Sequence, residues 1–240
     1  MALNDLQSKL GRRLRWQQDA HRLERADPRL AGMLSALRAW QAGRLARSFA
    51  QFLADPATRP AAEFFLSDLY GDADFLQRDR EAARILPKMA RILPESLLQA
   101  AVDAIELAVL SHALDLRMAR ALLRAGVAPR ALDASRYAEA YRAVGLPRLR
   151  RRQIDLVGEV GQRLDAVVQR HGVGKLLASA RLPARLLGLQ HLQGFLERGF
   201  AAFNRLGGAG DFLARIDRQE RCIARRLAVG AAEPFAPPFS

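Results

Sequence analysis

The run from Glu95 to Ala125 constrains the fold more than any other part of the chain, because it contains neither glycine nor proline. Apolar residues recur in it at spacings of three and four, which is the period of an amphipathic α-helix. Pro94 precedes the run and Gly126 follows it, as expected of residues that favour the two ends of a helix. The sequence therefore predicts one long helix from Pro94 to about Ala125.

Other stretches show the same period, interrupted by glycine and proline. One helix is predicted from the Asp27-Pro28 pair to about Leu53, and another from Pro183 to Leu206, because proline is accepted in the first turn of a helix. No stretch alternates apolar and polar residues between turn residues in the way that predicts strands. We therefore expect an all-α fold.

The chain has 240 residues, which is enough to bury a sizeable core. No shift in composition marks a linker, so residues 1–230 are expected to form a single compact bundle of about eight or nine helices. Residues 231–240, AAEPFAPPFS, contain three prolines. They are predicted to be a separate tail that is disordered or lies extended on the bundle.

The formal net charge is +13, which suggests nucleic acid as a partner. All but three of the 38 basic residues are arginine, however, and they are spread along the whole chain. A nucleic-acid interface usually concentrates its positive charge on one face. Nucleic-acid binding is therefore expected to be absent or weak, non-specific and sensitive to salt. Whether the charge is functional or a bias in composition stays open.

Cys222 is the only cysteine, which excludes a disulfide framework or a cysteine metal site within one chain. The first residues lack the apolar region of a secretory signal, and no run is apolar over the length that spans a bilayer. A soluble, cytoplasmic protein without a membrane span is expected.

A compositionally distinct stretch, residues 61–93, precedes the long helix. It contains FFLSDLYGDADFLQRDRE and LPKM, while LSHALD lies in the long helix and FLERGFAAF and RQERCIARRL lie near the C-terminus. Together these motifs resemble a bacterial family of helical proteins described as a domain of unknown function. The resemblance covers most of the chain, but it implies no activity, cofactor or catalytic residue.

Two ionisable residues stand out in the long helix. His112 falls in the middle of its apolar side and Asp115 lies at the edge of that side, one turn further on. A functional interpretation places them in a pocket with Tyr70 or with the pair Arg78 and Asp79. The alternative is a structural hydrogen-bond network, since a buried polar group must find a partner.

Four arginines follow Pro147 in the first turns of another predicted helix: Arg148, Arg150, Arg151 and Arg152. Positive charge is unfavourable at a helix N-terminus. It must be offset by acidic residues from elsewhere, by an anionic ligand such as a phosphate, or by solvent. The run is therefore a candidate anion site, with solvation as the alternative.

Familiar catalytic and metal-binding motifs are not found in the sequence. It has no HExxH motif, P-loop or GxGxxG fingerprint, and no histidine follows a glutamate at the spacing of di-iron carboxylate bundles. No metal site is predicted, and the cofactor stays open. The sequence favours a non-enzymatic helical binding or regulatory module with a protein or small-molecule partner. The alternative is an enzyme or small-ligand binder that uses the pocket around His112, Asp115 and the Tyr70–Asp79 stretch.

Overall fold

The computed structural model describes residues 26–69, 95–170 and 172–239, together with the isolated positions Ser8, Gly11, Arg12, Trp16, Glu24, Glu81, Arg84 and Ile85. Within these residues there are ten α-helices and no strand. The helices are α1 (Pro28–Ser48), α2 (Ala50–Ala54), α3 (Arg59–Phe64), α4 (Glu95–Arg124), α5 (Ala134–Val144), α6 (Pro147–Val168), α7 (Val173–Ser179), α8 (Arg181–Leu186), α9 (Gln190–Leu206) and α10 (Gly210–Val229). A π-helical turn (Phe65–Leu69) follows α3, and a 3-10 turn (Pro129–Ala131) follows α4. The predicted all-α fold is confirmed.

The start of α1 follows from the residue that precedes it. The carboxylate of Asp27 accepts hydrogen bonds from the backbone amides of Arg29 and Leu30, at 3.0 and 3.1 Å. It thereby satisfies two of the donors that a helix leaves open at its start. Pro28 occupies the first helical position. The structure therefore confirms the helix start predicted at Asp27-Pro28.

Two of the predicted helices are divided in the structure. The first is interrupted at Phe49, between α1 and α2. The prediction that Pro183 starts a helix reaching Leu206 is wrong. Pro183 is the third residue of α8, where a missing amide hydrogen has no partner to lose. The chain breaks instead around Gly188, whose φ of +64° ends α8 before α9 begins.

Most of the buried apolar residues form two clusters. The first packs the N-terminal half of α1 against α4, α5 and the C-terminal half of α10. Its members are Leu30, Met33, Leu34, Leu37, Leu116, Met118, Ala119, Ala121, Leu122, Tyr137, Ala138, Ala140, Tyr141, Ile223 and Leu227. The second packs the C-terminal end of α1 against α2, α3, α6, α9 and the N-terminal half of α10. Its members are Leu45, Phe49, Phe52, Ala61, Ala62, Phe64, Phe65, Val168, Ala202, Phe203, Ala209, Phe212, Leu213 and Ile216.

Helices α1 and α10 run antiparallel through both clusters and hold them together. Gln219 of α10 donates a hydrogen bond to the carbonyl of Ser48 in α1 at 3.0 Å, and Arg215 of α10 donates to Gln51 in α2 at 3.2 Å. Arg44 of α1 and Glu220 of α10 also form an ion pair. Polar contacts therefore join α10 to the first helices beside the apolar clusters.

The residues after α10 return to the bundle. Phe235 packs edge-on against the rings of Trp40 and Tyr137, with centroids 5.5 and 5.9 Å apart. Arg226 donates to the carbonyls of Ala236 and Pro238.

Among the helices of the described residues, none is both long enough and apolar enough to cross a membrane.

Candidate functional site

A cavity of about 90 Å³ lies where the two clusters meet. Leu45, Phe49 and Ile216 from the second cluster line it, and so do Tyr137 and Ile223 from the first. Its polar lining, contributed by α1, α5, α6 and α10, consists of Gln41, Arg44, Tyr137, Tyr141, Arg150, Gln153, Asp217 and Glu220. The cavity thus has a mixed apolar and polar lining, and what it can bind depends on how its polar groups are paired.

One arginine of the lining is paired with a carboxylate. The Nη1 and Nη2 of Arg44 donate to the two carboxylate oxygens of Glu220, at 2.5 and 3.1 Å. Both side chains are mostly buried. Two parallel charge-assisted hydrogen bonds compensate the removal of both charges from water. The Arg44–Glu220 pair is therefore a structural ion pair between α1 and α10.

The second arginine of the lining is Arg150, and it has no such partner. It is 7% exposed, and its Nε and Nη2 are shielded from solvent without a hydrogen-bond acceptor among the described residues. Its Cζ lies 4.7 Å from the centroid of the Tyr141 ring. That contact attracts the cation to the ring face but uses none of the N–H groups in the guanidinium plane. One edge of the guanidinium thus keeps two donors unused.

A third arginine shows what satisfies this edge. Arg221 donates from Nε to Asp217 at 2.8 Å and from Nη2 to Asp155 at 2.6 Å. These are the same two donors that Arg150 leaves unused. Asp217 also lines the cavity, and its carboxylate is paired with Arg221. Both carboxylates of the lining are therefore committed to other arginines, Asp217 to Arg221 and Glu220 to Arg44.

The tyrosines of the lining add neutral donors. Tyr137 and Tyr141 belong to neighbouring turns of α5, and within the described residues neither hydroxyl makes a hydrogen bond to protein. Burial raises the pKa of the Tyr141 hydroxyl, and the nearby Arg150 guanidinium opposes that rise. The hydroxyl therefore stays protonated and available as a donor at neutral pH.

The structure places the predicted pair His112 and Asp115 on two different partners in α1. Arg38 donates from Nη2 to the Nδ1 of buried His112 at 2.9 Å, and the Nε2 lies 3.8 Å from a carboxylate oxygen of Glu24. Gln41 donates to Asp115 at 3.1 Å. Neither His112 nor Asp115 lines the cavity, but Gln41 connects Asp115 to it.

The pKa of Asp115 also depends on Arg150, which lines the cavity. Its surroundings are poorly solvated, and this burial raises the pKa of the carboxyl, while the positive charges of Arg38 and Arg150 oppose the rise. The remaining residues of the predicted pocket, Tyr70, Arg78 and Asp79, lie outside the described residues. The pocket built from them with His112 and Asp115 stays a prediction.

The structure separates the four arginines of the predicted anion site. Arg148 and Arg151 are exposed to solvent. Arg152 is paired with Glu106 at 3.2 Å and with Glu159 at 2.7 Å. Arg150 alone turns into the core, because it shares the apolar face of α6 with Ile154 and Val157, which also line the cavity. The spacing of four and three residues between Arg150, Ile154 and Val157 was the signal in the sequence for a buried arginine. No sequence signal indicated the cavity.

Among the described residues no group of histidine, cysteine, aspartate or glutamate side chains has the arrangement of a metal site. The chemistry that the lining does offer is hydrogen-bond donation from Arg150 and the two tyrosines, since the side-chain amides of Gln41 and Gln153 already donate to Asp115 and Ser111. Such a set suits an acceptor that carries negative charge.

Comparison with known proteins identifies a family. The model of a domain of unknown function, DUF8198, matches residues 20–234. The chain therefore belongs to this family. No curated protein and no solved structure matches it. The family brings no activity with it, so a function has to be argued from the cavity.

Proposed function

We propose that this member of the DUF8198 family is a non-enzymatic binding module that holds one small anionic group, a carboxylate or a phosphate, in the cavity beside Arg150. The observation that carries the proposal is the buried guanidinium whose Nε and Nη2 have no acceptor in the described part of the protein. A carboxylate or phosphate accepts both hydrogen bonds of such an edge at once. The missing acceptor would then be the ligand.

Energetics favour this interpretation over a purely structural arginine. A buried donor without an acceptor costs about 1–3 kcal/mol, and a buried charge without a counter-charge costs more. A methionine or leucine at position 150 would fill the same space without that cost. An arginine that is unfavourable in the free protein becomes favourable when an anion binds, since the anion supplies both the acceptor and the opposite charge.

The size of the cavity limits the ligand. A volume of about 90 Å³ exceeds what one water molecule needs, but it is far below the roughly 300–1,000 Å³ of pockets for drug-sized ligands. The cavity thus accommodates the anionic group of a ligand, or a small acid as a whole. Tyr141, next to Arg150, supplies a further donor to such a group.

Binding is favoured over catalysis by the state of the two carboxylates. Asp217 and Glu220 are the acidic groups of the lining, and each is held by an arginine. A carboxylate whose oxygens accept hydrogen bonds from an arginine is not positioned to take a proton from a substrate. The bacterial source, the cytoplasmic location and the weak, non-specific affinity for nucleic acid expected from the sequence stay predictions.

The experiment is thermal unfolding in sodium acetate and in sodium phosphate, each compared with sodium chloride at the same ionic strength. An anion at about five times its dissociation constant should raise the melting temperature by about 2–4 °C. A response to acetate alone identifies a carboxylate site, and a response to phosphate alone identifies a phosphate site. The gain should vanish in Arg150→Met.

Arg151→Met is the matched control, because Arg151 is the next residue of α6 and lies in solvent. It removes the same charge and should keep the full response. If neither anion stabilises the wild type beyond chloride, or if Arg150→Met responds as the wild type does, the proposal is wrong. In that case the cavity holds only water.

A further inference from the structure

The most exposed leucines of the described residues lie close together in sequence, on α7, on α8 and just after α8. Leu176, Leu182, Leu186 and Leu187 are between 58% and 78% exposed, and we call this set the leucine face. Leu182 and Leu186 are one turn apart on α8 and therefore share a side of that helix. Single exposed apolar residues are ordinary, but a concentration of them marks a surface that another body covers.

Positive charge accompanies these leucines. The segment 172–190 contains Lys175, Arg181 and Arg185 and no aspartate or glutamate. Arg181 is paired with Glu197 of α9 at 2.6 Å, and Lys175 and Arg185 are exposed. Arg181 and Arg185 are also one turn apart, beside the Leu182–Leu186 stripe. Helix α8 thus exposes both of its arginines and both of its leucines to solvent.

The base of the leucine face is fixed to the rest of the protein. Arg84 donates hydrogen bonds to the carbonyls of Leu187 and Gly188, at the end of α8. Glu81 accepts from the backbone amide of Leu192 at 2.9 Å and contacts the ring of His191 at 2.7 Å. Ala184, on the other side of α8, is buried. These contacts hold the leucines outward in a defined position.

We infer that the leucine face docks on the surface of an anionic lipid bilayer. Exposed leucines would enter the boundary between headgroups and acyl chains, while Lys175 and Arg185 would lie near the lipid phosphates. No helix among the described residues could span the bilayer, so this contact is peripheral. It is independent of the anion proposed to bind beside Arg150.

Two other partners fit the surface less well. A nucleic acid would use the cations but gains nothing from four exposed leucines. A protein interface relies mainly on aromatic residues and arginine, and leucine is under-represented among the residues that dominate binding energy. The segment 172–190 contains no aromatic residue. Its combination of leucine and positive charge matches a membrane surface.

The test is co-sedimentation of the full chain with large vesicles of two compositions. One is an equal mixture of phosphatidylcholine and phosphatidylglycerol, and the other is phosphatidylcholine alone. We expect binding to the anionic vesicles, weakened by added salt, and little binding to the neutral ones. The double variant Leu182→Gln/Leu186→Gln should lower the partition coefficient by about tenfold or more, because two apolar side chains leave the interface.

Val229→Gln is the matched control, since Val229 is 81% exposed at the end of α10 and lies outside the leucine face. It should bind as the wild type does. Circular dichroism of the double variant shows whether it is still folded. Equal binding by the double variant and the wild type overturns the inference. So does a concentration-dependent dimer in sedimentation velocity that the double variant abolishes without any vesicle binding by the wild type, since a second copy would then cover the face.

Discussion

Arg44 and Arg150 line the same cavity and are both buried, yet they differ in whether a carboxylate accepts hydrogen bonds from their Nη groups. Arg44 places two N–H groups on the carboxylate of Glu220. Arg150 faces the ring of Tyr141, and two of its N–H groups have no acceptor in the described part of the chain. A paired buried arginine is a structural contact. An unpaired one is a cost that the fold bears for another reason, and here we attribute it to a ligand.

The difference arises on α10. This helix brings two carboxylates to the cavity, Asp217 and Glu220, which are three residues apart and so lie near each other on one side. Glu220 reaches Arg44, whereas Asp217 is held by Arg221, its neighbour one turn further on. Both carboxylates that α10 brings to the cavity are therefore already held by other arginines. The comparison between the two arginines can be tested by removing each half of the arrangement.

The largest effect is expected from breaking the paired arginine. Glu220→Leu leaves the Arg44 guanidinium mostly buried without its carboxylate, so the free energy of unfolding should fall by about 3 kcal/mol. The double variant Arg44→Met/Glu220→Leu should recover most of this loss, because no buried charge remains. Urea denaturation of the two variants and the wild type measures both quantities. A single variant as stable as the wild type would mean that the pair does not stabilise the fold.

Removing Arg150 should not lower the free energy of unfolding, in contrast to removing Glu220. In chloride, without a bound anion, Arg150→Met should leave the free energy of unfolding unchanged or raise it by about 1 kcal/mol, because it removes a buried guanidinium two of whose donors have no acceptor among the described residues. Arg151→Met, in solvent on the same helix, should change it by less than about 0.5 kcal/mol. Urea denaturation under identical conditions compares them. A clear loss of stability in Arg150→Met would show that the described contacts understate how well the fold holds this arginine.

The contrast also shows what can be predicted from the sequence. Local signals were enough for the all-α class and for the start of α1, since Asp27 and Pro28 act on the backbone next to them. They failed at Pro183, because proline in the first turn does not determine where a helix begins, and at Phe49, where no glycine or proline marks the end of α1.

The candidate site was less accessible to such reasoning. Helical spacing could have placed Arg150 on the apolar face of α6, apart from the exposed Arg148 and Arg151. The partner of Arg44 could not be found in this way, because Glu220 is 176 residues away and meets it only through packing of α1 on α10. The difference between the two arginines is thus a property of tertiary structure.

A smaller effect is expected from pH, and it depends on the charge of Arg150. The folded-state pKa of Asp115 is raised by burial, with Arg38 and Arg150 opposing. Because the pKa is higher in the folded state than in the unfolded state, the folded state takes up the proton first as the pH falls. Protonation of Asp115 therefore stabilises the folded protein increasingly between its folded-state pKa and its lower unfolded-state pKa. Relative to Asp115→Asn, the wild type should gain stability between neutral pH and about pH 4.

Urea denaturation at a series of pH values measures this difference. Arg150→Met should extend the gain to higher pH, because one of the charges that lowers the pKa of Asp115 is removed. If the curves of the wild type and of Asp115→Asn stay parallel over this range, Asp115 has the same pKa in the folded and unfolded states, and the influence of Arg150 on it is negligible.

The smallest effect on stability is expected from Tyr141, whose hydroxyl tests whether the side of the cavity near Arg150 serves the fold or a ligand. The ring supports the Arg150 guanidinium and is retained in Tyr141→Phe, while the hydroxyl has no protein partner among the described residues. The free energy of unfolding in chloride should therefore change by less than about 0.5 kcal/mol. A bound anion that accepts from the hydroxyl would lose one hydrogen bond. Its affinity should then fall by about three- to tenfold in a calorimetric titration with the anion that stabilises the wild type. An unchanged affinity would place the anion on Arg150 alone, and a large loss of stability would show that the hydroxyl belongs to the fold, as the Arg44–Glu220 pair does.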